Sequence, residues 1–334
     1  MHPFSAHPPE TVSALGERRL IEAIRRWLGD TSPRTPFGIG DDCAVLPIIP
    51  GHSLLTVDPV IYGEHFDDAV SPQAAGEKLF KRNLSDIAAM GGRPVAAVVA
   101  LAFDGRLKTR WLAAFYRGLA AVSRRYQVPI VGGDIARQRE GVVATLTLLG
   151  RAASRVVTRT GARPGDALYV TGRLGGSRLR HHWAFTPRLE QGAWLARQRG
   201  VRSMMDVSDG LAKDLLALAP AGTVPALDGA ALPVSAAARR LARTSGRTAI
   251  DHALSDGEDY ELVFSFAADA PAGPFEARWR RTFPSLPLTR IGRFLPPAEA
   301  RAADALDLGA YHGFEHLAHR PDAHRKPRRR RPSP

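Results

Sequence analysis

Aspartate residues stand beside glycines at the ends of several apolar segments of this 334-residue chain. Asp134 follows a Gly-Gly pair after a short apolar run, and Asp206 and Asp209 flank Ser208 in a Met-Asp-Val-Ser-Asp-Gly segment. Carboxylates that converge in a cleft repel one another unless a cation balances them. Mg²⁺ with nucleotide phosphates suits oxygen ligands of this kind, so the pattern indicates a metal–phosphate site. The acidic residues that follow the pattern are Asp41, Asp42, Asp58, Asp86, Asp134, Asp206, Asp209, Glu258 and Asp259.

Two glycine-rich segments, residues 132–134 and 171–177, are candidate phosphate-binding loops, because backbone N–H groups in such loops can bind anions. The chain lacks the Gly-x-x-x-x-Gly-Lys-Ser/Thr motif and the His-Arg-Asp set of protein kinases. These absences exclude the two commonest ATP sites. The adjacent His181 and His182 are predicted to lie at the surface.

The elements that must position these residues follow from hydrophobic periodicity. Helices are predicted at residues 13–28, 73–90, 109–126, 209–218 and 235–244. Strands are predicted at residues 44–46, 53–58, 95–103, 129–131, 142–149, 167–171, 260–266 and 288–294. A linker is expected at residues 151–166, where glycine and proline interrupt the pattern. Alternating strands and helices predict the α/β (α+β) class, and the length predicts two domains.

Charge and composition narrow the function classes. The net charge is +13, and residues 320–334 contribute seven Lys or Arg and one Asp to it. This proline-rich segment predicts a disordered basic tail. Because this tail is the only feature that favours nucleic acid, nucleic acid is not expected as a partner. Residues 1–12 are also expected to be disordered and have no apolar signal core, which predicts a cytoplasmic protein. No apolar run is long enough for a membrane span, and the single Cys43 excludes an intrachain disulfide.

Taken in order, the motifs resemble the thiamine-monophosphate kinase family, in the superfamily of aminoimidazole ribonucleotide synthetase and selenophosphate synthetase. The resemblance rests on Asp58 and on residues 38–46, 63–66, 83–91, 132–134, 158–161, 205–211 and 257–262. It implies a two-domain aminoimidazole ribonucleotide synthetase-like fold. Residues 13–150 would form an ATP- and Mg²⁺-binding domain whose sheet pairs across a homodimer. Residues 151–319 would form a C-terminal α/β domain.

The resemblance also implies roles for individual residues. The Mg²⁺ ligands would be Asp42, Thr56, Val57, Asp58, Asp86, Asp134, Asp206 and Asp209. The ATP contacts would be Gly132, Gly133, Arg159 and Ser208, and the thiamine monophosphate contacts would be His65, Glu258 and Tyr311. Three features depart from the family pattern. Val57 stands where the family usually has Thr, so only its backbone oxygen would bind a metal. Ile135-Ala136 replace the usual Thr-Thr after Gly-Gly-Asp. The segment between residues 177 and 187 is shorter than in the family.

The implied reaction is direct in-line transfer of the ATP γ-phosphoryl group to thiamine monophosphate. The acceptor is an ionised phosphate, so no general base is expected. Two alternatives stay open: another ATP-dependent phosphoryl transferase of the superfamily, and a degenerate member that binds polyanions. Selenophosphate synthesis would need a reactive cysteine near the N-terminus, and none precedes Cys43.

Overall fold

The computed structural model describes residues 1–34, 37–39 and 43–315, and all elements below belong to these ranges. The helices are α1 (Glu17–Leu28), α2 (Pro72–Ala89), α3 (Thr109–Tyr126), α4 (His181–Ala184), α5 (Leu189–Leu195), α6 (Leu211–Asp214), α7 (Ala236–Leu241), α8 (Ala249–Ser255), α9 (Ala272–Thr282) and α10 (Pro297–Ala302). The strands are β1 (Ser53–Ile61), β2 (Gly92–Phe103), β3 (Ile130–Arg137), β4 (Val142–Ala152), β5 (Ala167–Thr171), β6 (Val201–Asp206), β7 (Val224–Leu227), β8 (Leu262–Phe266) and β9 (Leu288–Leu295).

The first four strands form one sheet in the order β1-β4-β2-β3, in which only β2 and β3 pair in parallel. Alternate side chains of these strands point to opposite faces. One face is buried against α2, and α3 packs on α2. The other face exposes apolar side chains, including Leu55, Val57 and Val98, which are 72%, 57% and 38% exposed. The four-stranded sheet therefore has one covered face and one open apolar face.

Helix α2 lies at the centre of the protein. Ser71 caps its first turn by accepting a hydrogen bond from the backbone N–H of Ala74, and Pro72 occupies its first position. A Cβ atom on Gly76 would lie 2.1 Å from the backbone oxygen of Phe115, so only glycine lets α2 and α3 approach this closely. Along α2, Lys78, Arg82 and Asp86 recur every four residues, which places them on one helix face.

The second sheet has the order β6-β8-β5-β9-β7, and its paired strands are antiparallel. Helix α2 contacts β1, β2 and β4 of the first sheet and also β6, α4 and α5 of the second half. One apolar core cluster accordingly contains residues from both halves, such as Leu84 and Phe264. The polar face of α2 thus lies where the two halves meet.

Two sequence predictions are confirmed to the residue, the helix at Thr109–Tyr126 and the strand at Ala167–Thr171. The strand predicted at residues 44–46 is wrong, because these residues make no ladder pairing. Residues 132–134 do not form a loop but lie within β3, where a Cβ on Gly133 would meet the backbone oxygen of Val99 at 2.0 Å. The helix predicted at residues 209–218 is divided into α6 and a 3₁₀ turn, Leu215–Leu218.

A helix that crosses a bilayer must be both long and apolar. None of the described helices combines the length and the apolar character that crossing a bilayer requires.

Candidate active site

A cavity of about 650 Å³ lies at the junction of the two halves. Its walls come from β1, α2, the segment after β1, the loop after β6 and the segment before β8. Many of the residues named from the sequence line it: Asp58, His65, Asp86, Arg159, Asp206, Ser208, Asp209 and Glu258. The structure therefore brings together side chains that are up to 200 residues apart in the chain.

Three carboxylates, from Asp58, Asp86 and Asp206, form the acidic side of the cavity. The Thr56 hydroxyl donates to Asp86, and the Ser85 hydroxyl donates to Asp206 Oδ2 at 2.6 Å. Burial, followed by repulsion from Asp206 and Asp58, raises the pKa of Asp86 to about 8. Burial also raises the pKa of Asp206. Pairing with a cation would relieve this electrostatic cost.

The loop after β6, which contains Ser208 and Asp209, is held by Asp214, a residue that was not predicted from the sequence. Its Oδ2 accepts hydrogen bonds from the backbone N–H groups of Ser208, Asp209 and Gly210, at 2.9, 3.1 and 3.2 Å. Burial raises the pKa of Asp214 to about 7, and the charges of Asp206 and Asp209 add to this effect. The sequence does contain a signal for this role of Asp214, because an acidic residue in the first turn of a helix can accept hydrogen bonds from the backbone amides that precede it.

Three arginines, Arg82, Arg159 and Arg178, also line the cavity. Arg82 donates to the backbone oxygen of Pro59 at 2.7 Å and lies 3.5 Å from Asp58 Oδ1. Guanidinium groups bind phosphate oxygens well because their planar donors match the phosphate geometry. The cavity therefore offers both carboxylates for a cation and cations for an anionic ligand.

A buried lysine organises the side of the cavity near Glu258. The Lys78 side chain is fully buried, and its Nζ lies 2.6 Å from Glu258 Oε1, 2.7 Å from the backbone oxygen of His65 and 2.9 Å from His182 Nδ1. The prediction that His182 lies at the surface is wrong, because its side chain is only 13% exposed and lines the cavity. Lys78 was not predicted from the sequence, because a single lysine in an apolar helix does not indicate which residues it contacts.

Val57, Tyr311 and the glycines of β3 are not among the described residues that line this cavity. Asp42 is outside the described residues. Val57 lies on the open face of the first sheet, next to Asp58 but pointing away from α2. Tyr311 packs against the apolar core of the second half and is not among the described residues that line the cavity, whereas Phe314 is.

Gly132, Gly133 and Asp134 line a second cavity, of about 470 Å³. Apolar side chains from α1, α3 and the first sheet also line it, including Ile24, Tyr116, Ile130 and Ile135. Ile39, from the segment before β1, lines it as well. In the sheet register, Asp58 pairs with Leu146, which pairs with Val99, which pairs with Gly133. Asp58 and Asp134 therefore lie near opposite edges of one sheet, about 14 Å apart by strand spacing.

Comparison with known proteins agrees with this arrangement. Residues 40–152 match the family model described as AIR synthase related protein, N-terminal domain. The chain is 38% identical over 272 residues to thiamine-monophosphate kinase of Rhodopirellula baltica, and the match covers 78% of this chain and 84% of that protein. The chain belongs to the thiamine-monophosphate kinase family.

Solved structures of thiamine-monophosphate kinases share the fold. The enzyme of Stenotrophomonas maltophilia is 30% identical, with a TM-score of 0.68, over 83% of this chain and 93% of that one. The structure of AaThiL complexed with AMPPCP and TMP is also 30% identical, with a TM-score of 0.65, over 85% of this chain and 92% of that one. The mixed α/β architecture with two sheets is thus that of the family.

Proposed function

We propose that the protein transfers the γ-phosphoryl group of ATP to thiamine monophosphate, yielding ADP and thiamine diphosphate. The observation that carries this proposal is the convergence of Asp58, Asp86 and Asp206 on a cavity that Arg159 and Ser208 also line. Family membership supports the choice of thiamine monophosphate as acceptor.

The acidic side of the cavity fits Mg²⁺. Its donors are oxygen atoms, which Mg²⁺ prefers, and burial raises the pKa of Asp86 and of Asp206. Within the described residues, no three Asp, Glu, His or Cys side chains are grouped closely enough to enclose a metal by themselves. Mg²⁺ commonly binds through one or two carboxylates together with substrate phosphates and water. The residues that would hold it are Asp42, Asp58, Asp86, Asp206 and Asp209, and Thr56 would orient Asp86.

The transfer requires in-line alignment of the two phosphate groups and neutralisation of their negative charge. The acceptor phosphate is already ionised, so it attacks without a general base. Bound Mg²⁺ supplies positive charge against the phosphate oxygens. Arg82, Arg159 and Arg178 add three guanidinium groups, which hold the two anionic ligands against their mutual repulsion. The backbone N–H of Ser208 donates to the Asp214 carboxylate, and this bond fixes the loop that presents Ser208 to the cavity.

The ATP base has a candidate site in the second cavity. Gly132 and Gly133 line it, and its other walls are mostly apolar, as a planar base requires. The open apolar face of the first sheet supports the expected homodimer, since exposed apolar faces of this kind mark protein interfaces. The division into domains at residues 13–150 and 151–319, and a cytoplasmic location, are retained as parts of the proposal.

The test is a coupled assay of ADP release with ATP and Mg²⁺, run with thiamine monophosphate, with unphosphorylated thiamine and without acceptor. Thiamine diphosphate is quantified by fluorescence after oxidation. We expect ADP and thiamine diphosphate in equal amounts, only with thiamine monophosphate. ADP release that is independent of thiamine monophosphate would leave only the broader phosphotransferase assignment. No ATP turnover under any condition would favour the degenerate polyanion-binding alternative.

A further inference from the structure

The short segment around α4 is fixed over the cavity by two buried lysines of α2. Lys78 Nζ reaches His182 Nδ1 at 2.9 Å, and Lys81 Nζ donates to the backbone oxygen of Trp183 at 2.6 Å. On the other side, His181 Nε2 lies 2.9 Å from the backbone oxygen of Asp259. These contacts determine where the His182 ring lies, although α4 is only one turn long.

The contact with Lys78 also determines which nitrogen of His182 carries the proton. An ammonium group has only donors, so Nδ1 of His182 must accept from it. The proton of the neutral ring is then on Nε2. No described residue accepts a hydrogen bond from Nε2, and the His182 side chain lines the cavity. His182 therefore presents a free N–H donor to a ligand.

Next to the same imidazole ring, Glu258 presents an acceptor. Its Oε1 is engaged by Lys78 at 2.6 Å and by the Tyr260 hydroxyl at 3.3 Å. Its Oε2 is 3.5 Å from Nδ1 of His182, which has no proton to donate, and no other described group donates to it. The backbone of Glu258 has φ 54°, a strained value for a residue with a side chain, and its N–H is tied to the backbone oxygen of Ser208 at 2.7 Å.

We propose that His182 and Glu258 together recognise the aminopyrimidine ring of the substrate, with Lys78 as the positioning residue for both. A 4-aminopyrimidine presents an amino donor next to a ring-nitrogen acceptor. The Glu258 Oε2 accepts from the amino group, and the His182 Nε2–H donates to the ring nitrogen. Trp183 and Tyr260 line the same cavity and supply aromatic surface for the ring. This inference rests on the proposed function and specifies how its substrate is selected.

Oxythiamine monophosphate tests the inference with the unmodified protein. Its 4-oxo group accepts where the amino group donates, and its ring nitrogen gains a proton, so both hydrogen bonds are reversed. A site that pairs with a specific donor and acceptor rejects such an analogue strongly. We expect kcat/KM to be about 100-fold or more lower for oxythiamine monophosphate. Equal kcat/KM for the two acceptors would overturn the inference while leaving the kinase activity established.

Variants of His182 then assign the donor. His182→Phe keeps a flat ring and removes the N–H, so kcat/KM for thiamine monophosphate should fall about tenfold. The preference over oxythiamine monophosphate should shrink by a similar factor. His182→Gln offers an amide N–H and should recover part of that preference. His7→Phe, at an exposed position away from the cavity, is the matched control and should behave as wild type.

The outcomes separate the inference from the function it rests on. If wild type makes no thiamine diphosphate, the proposed function fails, and the inference fails with it. If wild type is active and His182→Phe retains both its kcat/KM and its preference, only the inference fails. Should His182→Phe not fold, the discrimination by wild type and the reduced but measurable preference of His182→Gln still decide the question.

Discussion

Replacing Lys78 by methionine tests the buried ion pair beside the cavity. Methionine has nearly the length of lysine, so the change removes the charge with little loss of volume. It leaves Glu258 without its partner at 2.6 Å, and breaking a buried pair typically costs about 3–5 kcal/mol of unfolding free energy. The Glu258 side chain retains 28% of its exposure, so we expect the low end, about 3 kcal/mol.

This free energy converts into a melting temperature. At about 2.1 cal/mol/K per residue, the unfolding entropy of a chain of 334 residues is about 0.7 kcal/mol/K, so the Tm should fall by about 4 °C. Differential scanning calorimetry measures this change in Tm.

The double variant Lys78→Met/Glu258→Gln removes the unpaired charge and should regain more than half of the lost unfolding free energy. The KM for thiamine monophosphate should rise about tenfold in Lys78→Met while the KM for ATP is unchanged. An unaltered Tm, or a double variant whose loss equals the sum of the single losses, would refute this reasoning.

Three further predictions concern the acidic side of the cavity and its aromatic wall. Asp58→Asn and Asp86→Asn should each abolish thiamine diphosphate formation and leave the circular dichroism spectrum unchanged; turnover at the wild-type rate at saturating Mg²⁺ would contradict the metal assignment. Without Mg²⁺, the Tm of wild type relative to Asp86→Asn should fall as the pH rises from about 4 to about 8. The reason is that the raised pKa of Asp86, about 8, makes the folded protein retain a proton that the unfolded chain releases; a Tm difference that is constant over this range would contradict it. Phe314→Ala should weaken thiamine monophosphate binding about three- to thirtyfold by loss of the aromatic wall, whereas Tyr311→Ala should mainly lower the Tm; titration calorimetry with both ligands separates the two, and the reverse pattern would restore Tyr311 as the substrate contact.

The convergence of the acidic residues on one cavity could be predicted from the sequence, because each short motif combines a carboxylate with a hydroxyl; each hydroxyl, however, donates to the carboxylate of another motif. Thr56 and Asp58 lie two residues apart on β1, which puts both side chains on the face covered by α2. Ser85 and Asp86 are neighbours on α2, and they bind Asp206 and Thr56 respectively. Strings of this kind therefore indicate a candidate site, whereas the pairing between motifs follows only from the fold.

The substrate side could not be predicted in the same way. Lys78 contacts residues 65, 182 and 258, and none of these contacts follows from its neighbours in the chain. The spacing of Lys78, Arg82 and Asp86 at every fourth residue did hold a signal: a polar stripe on a helix that is otherwise largely buried. Such a stripe indicates that charged groups face an interior site, but it does not name their partners.

The position of Asp134 bears on how many copies of the chain complete the site. Asp58 and Asp134 lie three strand spacings apart, about 14 Å, whereas Mg²⁺–oxygen bonds are about 2.1 Å long. One ion cannot bind both carboxylates of the same chain. Asp134 and the exposed Leu55, Val57 and Val98 all belong to the open face or its edge. These residues lie on the surface that the predicted homodimer would cover, so the predicted homodimer and the place of Asp134 in the predicted ligand set depend on the same face of the sheet.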